Sequence, residues 1–424
     1  MRGVPPGGPG GGRRAGDVIF GADSRYTGAG TAPARRPDPG RTAEALSAMS
    51  DSPAAPAPDR VALRLLPGDP APWFFAASAT NPRYNFASVA GRYVLLVFPG
   101  PTLHPAARQA VALLEQAQAV GLLDDTHAAA FVMAVDAQEG APGAPRDLVP
   151  GLRVLHDRDG AVSRLYGVLT PRPDGASAYV QVAYLLDPLL RVMEVAPLAR
   201  LDTLLARMRG LPPPGLHAGF EVPAPVLVLP RVMDPELCRR LVAVYEAGGG
   251  EESGFMVERG GKTVGLYDPN TKKRRDQEIE DESLRAALRA CVTRRIAPEM
   301  RKAFQFSPTR IERYIVARYD GAEGGHFRAH RDNTTPGTAH RRFAVTINLN
   351  DEFDGGELWF PEFGPRRYRP PMGGAVVFSC SLLHEATPVT RGLRYATLPF
   401  LYDDAAAKVR EANAHTLVGN EAAA

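Results

Sequence analysis

The sequence predicts two folded domains: an α/β layer fold, then helices packed on one face of a double-sheet barrel or jelly roll. Three observations predict it. Residues 60–210 alternate short apolar runs with Ala/Leu-rich helical stretches, the pattern of an α/β layer. Beyond residue 305 the chain carries strand-like runs separated by Gly and Pro turns. Between the two textures, LPPPG at 211–215 reads as a stiff proline linker.

Residues 1–58 come first, and 20 of them are Gly or Pro. With almost no apolar periodicity, this segment cannot offset the entropy of ordering it and is expected to be a disordered low-complexity tail. Met49, followed by Ser-Asp-Ser-Pro, offers an alternative translation start. The first domain is expected over 61–212. RYVLLVF (92–98) and AAFVMAVDA (129–137) read as strands buried on both faces, with a helix over 105–123 between them. LRVLHD (152–157) is a short third strand. QVAYLLDP (181–188) and LRVMEV (190–195) form a hairpin, and a helix over 198–210 closes the unit at Gly210.

The second domain is expected over 216–403, with its β core at 306–403 and a tail at 404–424. Helices are predicted at 234–248 and 281–304, with Asp234 and Asp281 as N-caps. The intervening KKRRD run (272–276) reads as a solvated loop. Strands follow at 310–320, 341–351, 355–363, 374–379 and 394–403.

Composition narrows the function classes. Of 424 residues 44% are hydrophobic and 23% charged, which is globular usage, and a net charge of +3 supplies no field for nucleic acid or an anionic membrane. The three cysteines, Cys238, Cys291 and Cys380, are odd in number and far apart, as in a reducing compartment. Apolar runs end far short of a membrane span, and no apolar stretch follows the N-terminal arginines as a secretory signal needs. A cytoplasmic location is the expectation.

The chemistry concentrates in the β-rich half. His330 and Asp332 lie two residues apart on an extended segment and so point to one side. His384, read at the end of the GAVVFSCSLLH strand, closes a third corner if the two strands are neighbours. Two His and one carboxylate on one face leave three positions open on a non-heme Fe(II), enough for a bidentate co-substrate and O2. Arg394 follows ten residues later; buried in a barrel it needs an anion partner, such as the distal carboxylate of 2-oxoglutarate. His326 competes as a ligand, but Gly324-Gly325 argues against the helix that a pair of ligands four apart would use. It reads as cleft-lining or structural. His340 and Arg391 read as turn and surface residues, Cys380 as a packed strand residue, and Asn348 fits either face of its strand.

These residues carry a resemblance. HRD at 330–332, His384, the basic residue ten positions later, RYIVARYDGAEGGHFRAHRDN (313–333) and PRVMDPELCRRLVAVYE (230–246) resemble the 2-oxoglutarate and Fe(II)-dependent dioxygenases, in their prolyl 4-hydroxylase-like branch, over about 217–403. The resemblance implies a double-stranded β-helix, Fe(II) on His330, Asp332 and His384, 2-oxoglutarate on Arg394 and Tyr319, O2 as oxidant and ascorbate as reductant. It implies a peptidyl, prolyl-type substrate with release of succinate and CO2; a small-molecule substrate, or a non-catalytic iron and 2-oxoglutarate sensor, stays open. Collagen-type members carry Lys where this chain has Arg394, which loosens the case for collagen-type substrates.

LLPGDPAPWF (65–74), GRYVLLVFPGPTLHPAARQAV (91–111) and VLHDRDGAVSRLYGV (154–168) resemble the peroxiredoxin and thioredoxin-like fold. The turn after the strand reads PGPTLHP, and no cysteine precedes Cys238, so no thiolate can attack peroxide or disulfide there. His104 cannot replace it. The resemblance implies a redox-inactive domain reused for substrate capture, dimerisation or positioning.

Overall fold

The structure, a computed structural model, describes residues 17–18, 65–136, 144–172 and 175–418. The tail expected over 1–58, with Met49, lies outside the described residues except for Asp17–Val18, which pair with Arg310 and Ile311. Among the described residues no helix is long and apolar enough to cross a membrane.

The first domain is built on β1 (Tyr93–Phe98), α1 (Pro105–Ala119), β2 (Ala128–Ala134), β3 (Leu152–His156), the hairpin β4 (Val182–Leu186) and β5 (Val192–Pro197), and α2 (Leu201–Met208). The sheet order is β5-β4-β1-β2-β3, with β1, β2 and β3 mutually parallel and the hairpin antiparallel. Every residue of β1 and β2 is buried, because apolar clusters cover both faces. Pro105 opens α1, where its missing N–H costs nothing. This strand order with an α/β crossover is the thioredoxin-like arrangement.

The second domain opens with α3 (Pro235–Gly248), capped by Asp234 accepting from Leu237 N at 2.9 Å. The hairpin β6 (Phe255–Arg259) and β7 (Lys262–Leu266) follows, then β8 (Lys272–Lys273) and β9 (Arg275–Glu278). Next come α4 (Glu282–Cys291), capped by Asp281, and α5 (Ala297–Phe304), joined by a π-helical stretch at Val292–Ile296. The β core holds β10 (Arg310–Glu312), β11 (Ile315–Asp320), β12 (His326–His330), β13 (Phe343–Asn348), β14 (Leu358–Trp359), β15 (Ala375–Ser379), β16 (His384–Ala386), β17 (Val389–Thr397) and β18 (Phe400–Tyr402). One antiparallel sheet runs β10-β18-β13-β17-β11-β9 with β15 beside β13, and a second runs β8-β12-β16-β14. α6 (Asp404–Asn413) follows β18.

Several expectations are corrected. KKRRD is not a solvated loop. Lys272 of β8, Arg274 in the one-residue link and Asp276 of β9 turn inward, and Lys272 and Arg274 are each 7% exposed. The 310–320 strand is two strands, broken at Arg313, whose φ is +71°. Pro399 likewise separates β17 from β18, since it lacks the N–H a continuous ladder needs. His384 does not end the strand of residues 375–379. A turn after Ser379 carries the chain across, and His384 begins a strand of the opposite sheet. The expected strand at 355–363 is two residues long, then turns at Pro361.

Candidate metal centre

His330 is the last residue of β12 and His384 the first of β16, and the antiparallel register sets them directly opposite each other. Asp332 follows in the turn after β12, its N–H bonded to Cys380 O at 3.0 Å. His330 Nε2 lies 3.5 Å from Asp332 Oδ1, and His384 Nε2 lies 3.3 Å from Oδ2. One donor atom from each side chain falls within 4.8 Å of the others.

Backbone carbonyls orient both rings. His330 Nδ1 faces Arg328 O at 2.7 Å and His384 Nδ1 faces Leu382 O at 3.1 Å. A carbonyl only accepts, so each Nδ1 carries a proton and each Nε2 is the nitrogen turned toward Asp332. Burial first, then His330, push His384 down to about 4, which leaves it neutral. Burial alone would raise the Asp332 carboxyl, but His384 and His330 hold it well below the usual carboxylate range. A neutral His384, a second imidazole and a carboxylate fit a divalent cation with open positions.

The cavity beside this trio is walled by Phe327, Leu358, Phe378, Phe400 and Leu398, with Tyr319, Arg274, Arg313 and Arg394 among its polar lining. Phe327 stacks on His330 with ring centroids 3.5 Å apart. Arg394 lies on β17 opposite Tyr319 of β11, is 3% exposed, and sits 5.0 Å over the Tyr319 ring. Its Nε and Nη2 both donate to Asn348 Oδ1 at 3.2 Å. Among the described residues no carboxylate pairs with it. The other two buried arginines each have one: Arg274 has Asp276 and Arg331 has Glu362. Burial pushes the Arg394 guanidinium below its ordinary value, as expected of a cation short of an anion.

Sequence reasoning missed part of this cavity. Arg274 donates to both oxygens of Asp276, at 2.7 and 2.6 Å, and its Nη1 reaches Tyr319 Oη at 3.3 Å. Arg313 shares Asp276 at 3.0 Å. The signal was present: in KKRRD every second residue, ending on an acid, fits a strand with a charged inner face. Asn348, ambiguous by alternation, is the group that orients Arg394.

The remaining candidates sort by contact. His326 bridges Gly324 O and Asn270 O, at 2.8 and 3.1 Å, and so ties a turn to β12. His340 stands in a turn but is not a surface residue; it is 2% exposed and its Nε2 contacts Glu312 at 2.5 Å. Arg391 is exposed and pairs with Asp354 from within β17. Cys380 is packed, and all three cysteines are buried. In the first domain His104 only caps α1, its Nδ1 3.4 Å from Ala106 N.

Comparison with known proteins fits this geometry. Residues 314–402, which span β11 to β18, match the family described as the 2OG-Fe(II) oxygenase superfamily. Residues 314–402 of the β-rich unit thus carry the likeness to a 2OG-Fe(II) oxygenase domain. A PKHD-type hydroxylase of Bordetella pertussis is 32% identical over 150 residues, 33% of this chain and 66% of that protein. A PKHD-type hydroxylase of Cupriavidus metallidurans is 38% identical over 100 residues, 21% of this chain and 43% of that one. The chain thus spans no more than 66% of the length of these relatives. Among solved structures, a Trichoplax adhaerens prolyl hydroxylase in complex with a hypoxia inducible factor peptide fragment aligns with 44% of this chain and 86% of its own, at 19% identity and a TM-score of 0.36. A Plasmodium vivax 2-Cys peroxiredoxin aligns with 35% of this chain and 81% of its own, at 20% identity and a TM-score of 0.28.

Proposed function

We propose that this protein is a 2-oxoglutarate- and O2-dependent hydroxylase with Fe(II) on His330, Asp332 and His384, built on a double-stranded β-helix. The observation that carries the reading is the pairing of a three-donor cluster with Arg394, a buried cation in the same cavity without a carboxylate. A five-carbon dicarboxylate answers both needs, one end chelating the metal and the other taking the guanidinium fork. Asn348 fixes the plane of that fork. Tyr319 Oη accepts from Arg274 and so keeps its own proton to donate to the co-substrate. Fe(II) held by His330, Asp332 and His384 would supply the oxygen chemistry, with 2-oxoglutarate converted to succinate and CO2; the phenylalanine wall keeps water from the reacting position. Ascorbate serves as reductant after uncoupled turnover.

The substrate is a peptidyl side chain, with proline the first candidate. Besides the family resemblance, β6 supports this over a small molecule. Phe255 of β6 packs 6.2 Å from the cavity-wall Phe327, and among the described strands β6 pairs only with β7, leaving an edge to which an extended peptide can add.

The test is succinate formation from 2-oxoglutarate by protein loaded anaerobically with Fe(II) and then given O2. Wild type is expected to form succinate and His384→Ala to fall to background. Equal rates in the two would overturn the catalytic reading.

A further inference from the structure

The oxygenase domain leans on the first domain at the residues that flank the candidate metal ligands. Arg331 stands between His330 and Asp332, and with the two ligands facing the cavity its side chain points the other way. It is 7% exposed. Its Nη1 and Nη2 grip the Glu362 carboxylate at 3.2 and 2.8 Å. Nη1 also donates to Ser381 O, three residues before His384. Nη2 crosses to the first domain and donates to Ala87 O at 2.9 Å, and the indole of Trp73 lies over the guanidinium at 4.4 Å.

The third ligand is held in the same way. Leu383, next to His384, donates its N–H to Glu362 Oε2 at 2.8 Å and sends its side chain, 1% exposed, into a core cluster whose other buried members all belong to the first domain. Ala329, next to His330, packs against that same cluster. A separate tie joins Arg83 to Glu258 of β6 at 2.7 Å.

We propose that the redox-inactive first domain is a fixed brace of the metal centre, and that Arg331 is the positioning residue through which it acts. This rests on the reading of His330, Asp332 and His384 as metal ligands. Arg331 and Glu362 form one buried node on which both ligand-bearing segments hang, and the first domain closes that node from behind with a carbonyl and an indole. The domain is thereby part of the oxygenase site, which accounts for a thioredoxin-like unit being kept without its thiol.

The test uses the full chain and Co(II) as probe, read by its absorption spectrum and by titration. Wild type is expected to bind one Co(II), and His384→Ala to lose it. Arg331→Met, with no contact to the metal, is expected to bind Co(II) roughly 10- to 100-fold more weakly, the usual cost of losing an outer-shell partner. Trp73→Ala alters only the first domain at a side chain already 52% exposed, so the core is left intact. It is expected to weaken Co(II) at least about threefold and to shift its spectrum. By reciprocity Co(II) should slow amide exchange around Ala87 in the wild type. If both variants bound Co(II) as wild type does and exchange around Ala87 ignored the metal, the brace would be overturned. Should Arg331→Met fail to fold, Trp73→Ala and wild-type exchange decide alone. A wild type that binds no Co(II), or a His384→Ala that binds it equally, sinks the ligand assignment instead.

Discussion

Arg394 is held by a neutral amide and an aromatic face where other buried arginines of its domain have a carboxylate. If the distal carboxylate of 2-oxoglutarate is the missing partner, removing the fork should act on co-substrate affinity before it acts on turnover. A bond to a charged group is worth ~1.5–3 kcal/mol, so Arg394→Ala should raise the KM for 2-oxoglutarate roughly 10- to 100-fold. Arg394→Lys keeps the charge but not the bidentate geometry and should fall between. A KM unchanged in Arg394→Ala, from succinate formation across a 2-oxoglutarate series, would place the co-substrate elsewhere. At this scale the sequence was legible where chemistry is rare: two histidines, a carboxylate and an arginine at set spacings have few other uses. It was illegible where common residues act in support. Asn348 becomes informative only when Arg394 is opposite it, and His340, read as a surface residue, is buried against Glu312, a partner 28 positions away.

Among the elements, β8 and β9 deceive most. Four consecutive cations followed by an acid look like a solvated run, yet the strand period sends Lys272, Arg274 and Asp276 inward. Asp276 is the hinge of this arrangement, because it bonds Arg274 twice and Arg313 once. Removing one partner of a buried ion pair costs about 3–5 kcal/mol, since the other charge is left uncompensated. Asp276→Ala should lose roughly that much in urea denaturation, while Lys273→Ala, on the outer face, should change stability by under about 0.5 kcal/mol. Burial would raise the Asp276 carboxyl, but Arg274 and Lys272 hold it well below the usual range. With the folded value depressed, this stabilisation is complete above the ordinary carboxylate range and is lost progressively as pH falls from that range through the folded value. Equal losses in the two variants would mean that alternation does not govern this segment. The strands of the first domain were easier to read, because β1 and β2 are buried on both faces and show as unbroken apolar runs. The breaks at Arg313 and Pro399 were not, for a strand's direction is set by its neighbours as well as by its own residues.

At the scale of the whole molecule, the change of texture at 211–215 marks the passage from one architecture to the other, but it says nothing of how the two pack. The contacts do. Gly91, with φ +92°, meets the oxygenase domain so closely that a Cβ there would lie 2.6 Å from Pro361 Cβ and 3.1 Å from its carbonyl group. Such an approach needs Gly twice over, for the conformation and for the space. Gly121, with φ +75° at the end of α1, has nothing within 4 Å of a Cβ and so carries the conformational cost alone. Each Gly→Ala change should cost about 1–3 kcal/mol of backbone strain. Only Gly91→Ala should also wedge the domains apart. If the interface couples them, the wild type and Gly121→Ala should melt in one calorimetric transition, whereas Gly91→Ala should melt in two, with faster proteolysis between residues 211 and 226. Two transitions already in the wild type would mean that the domains are thermodynamically independent, because an interface that binds the node behind His330 and His384 cannot open without lowering the stability of both sides.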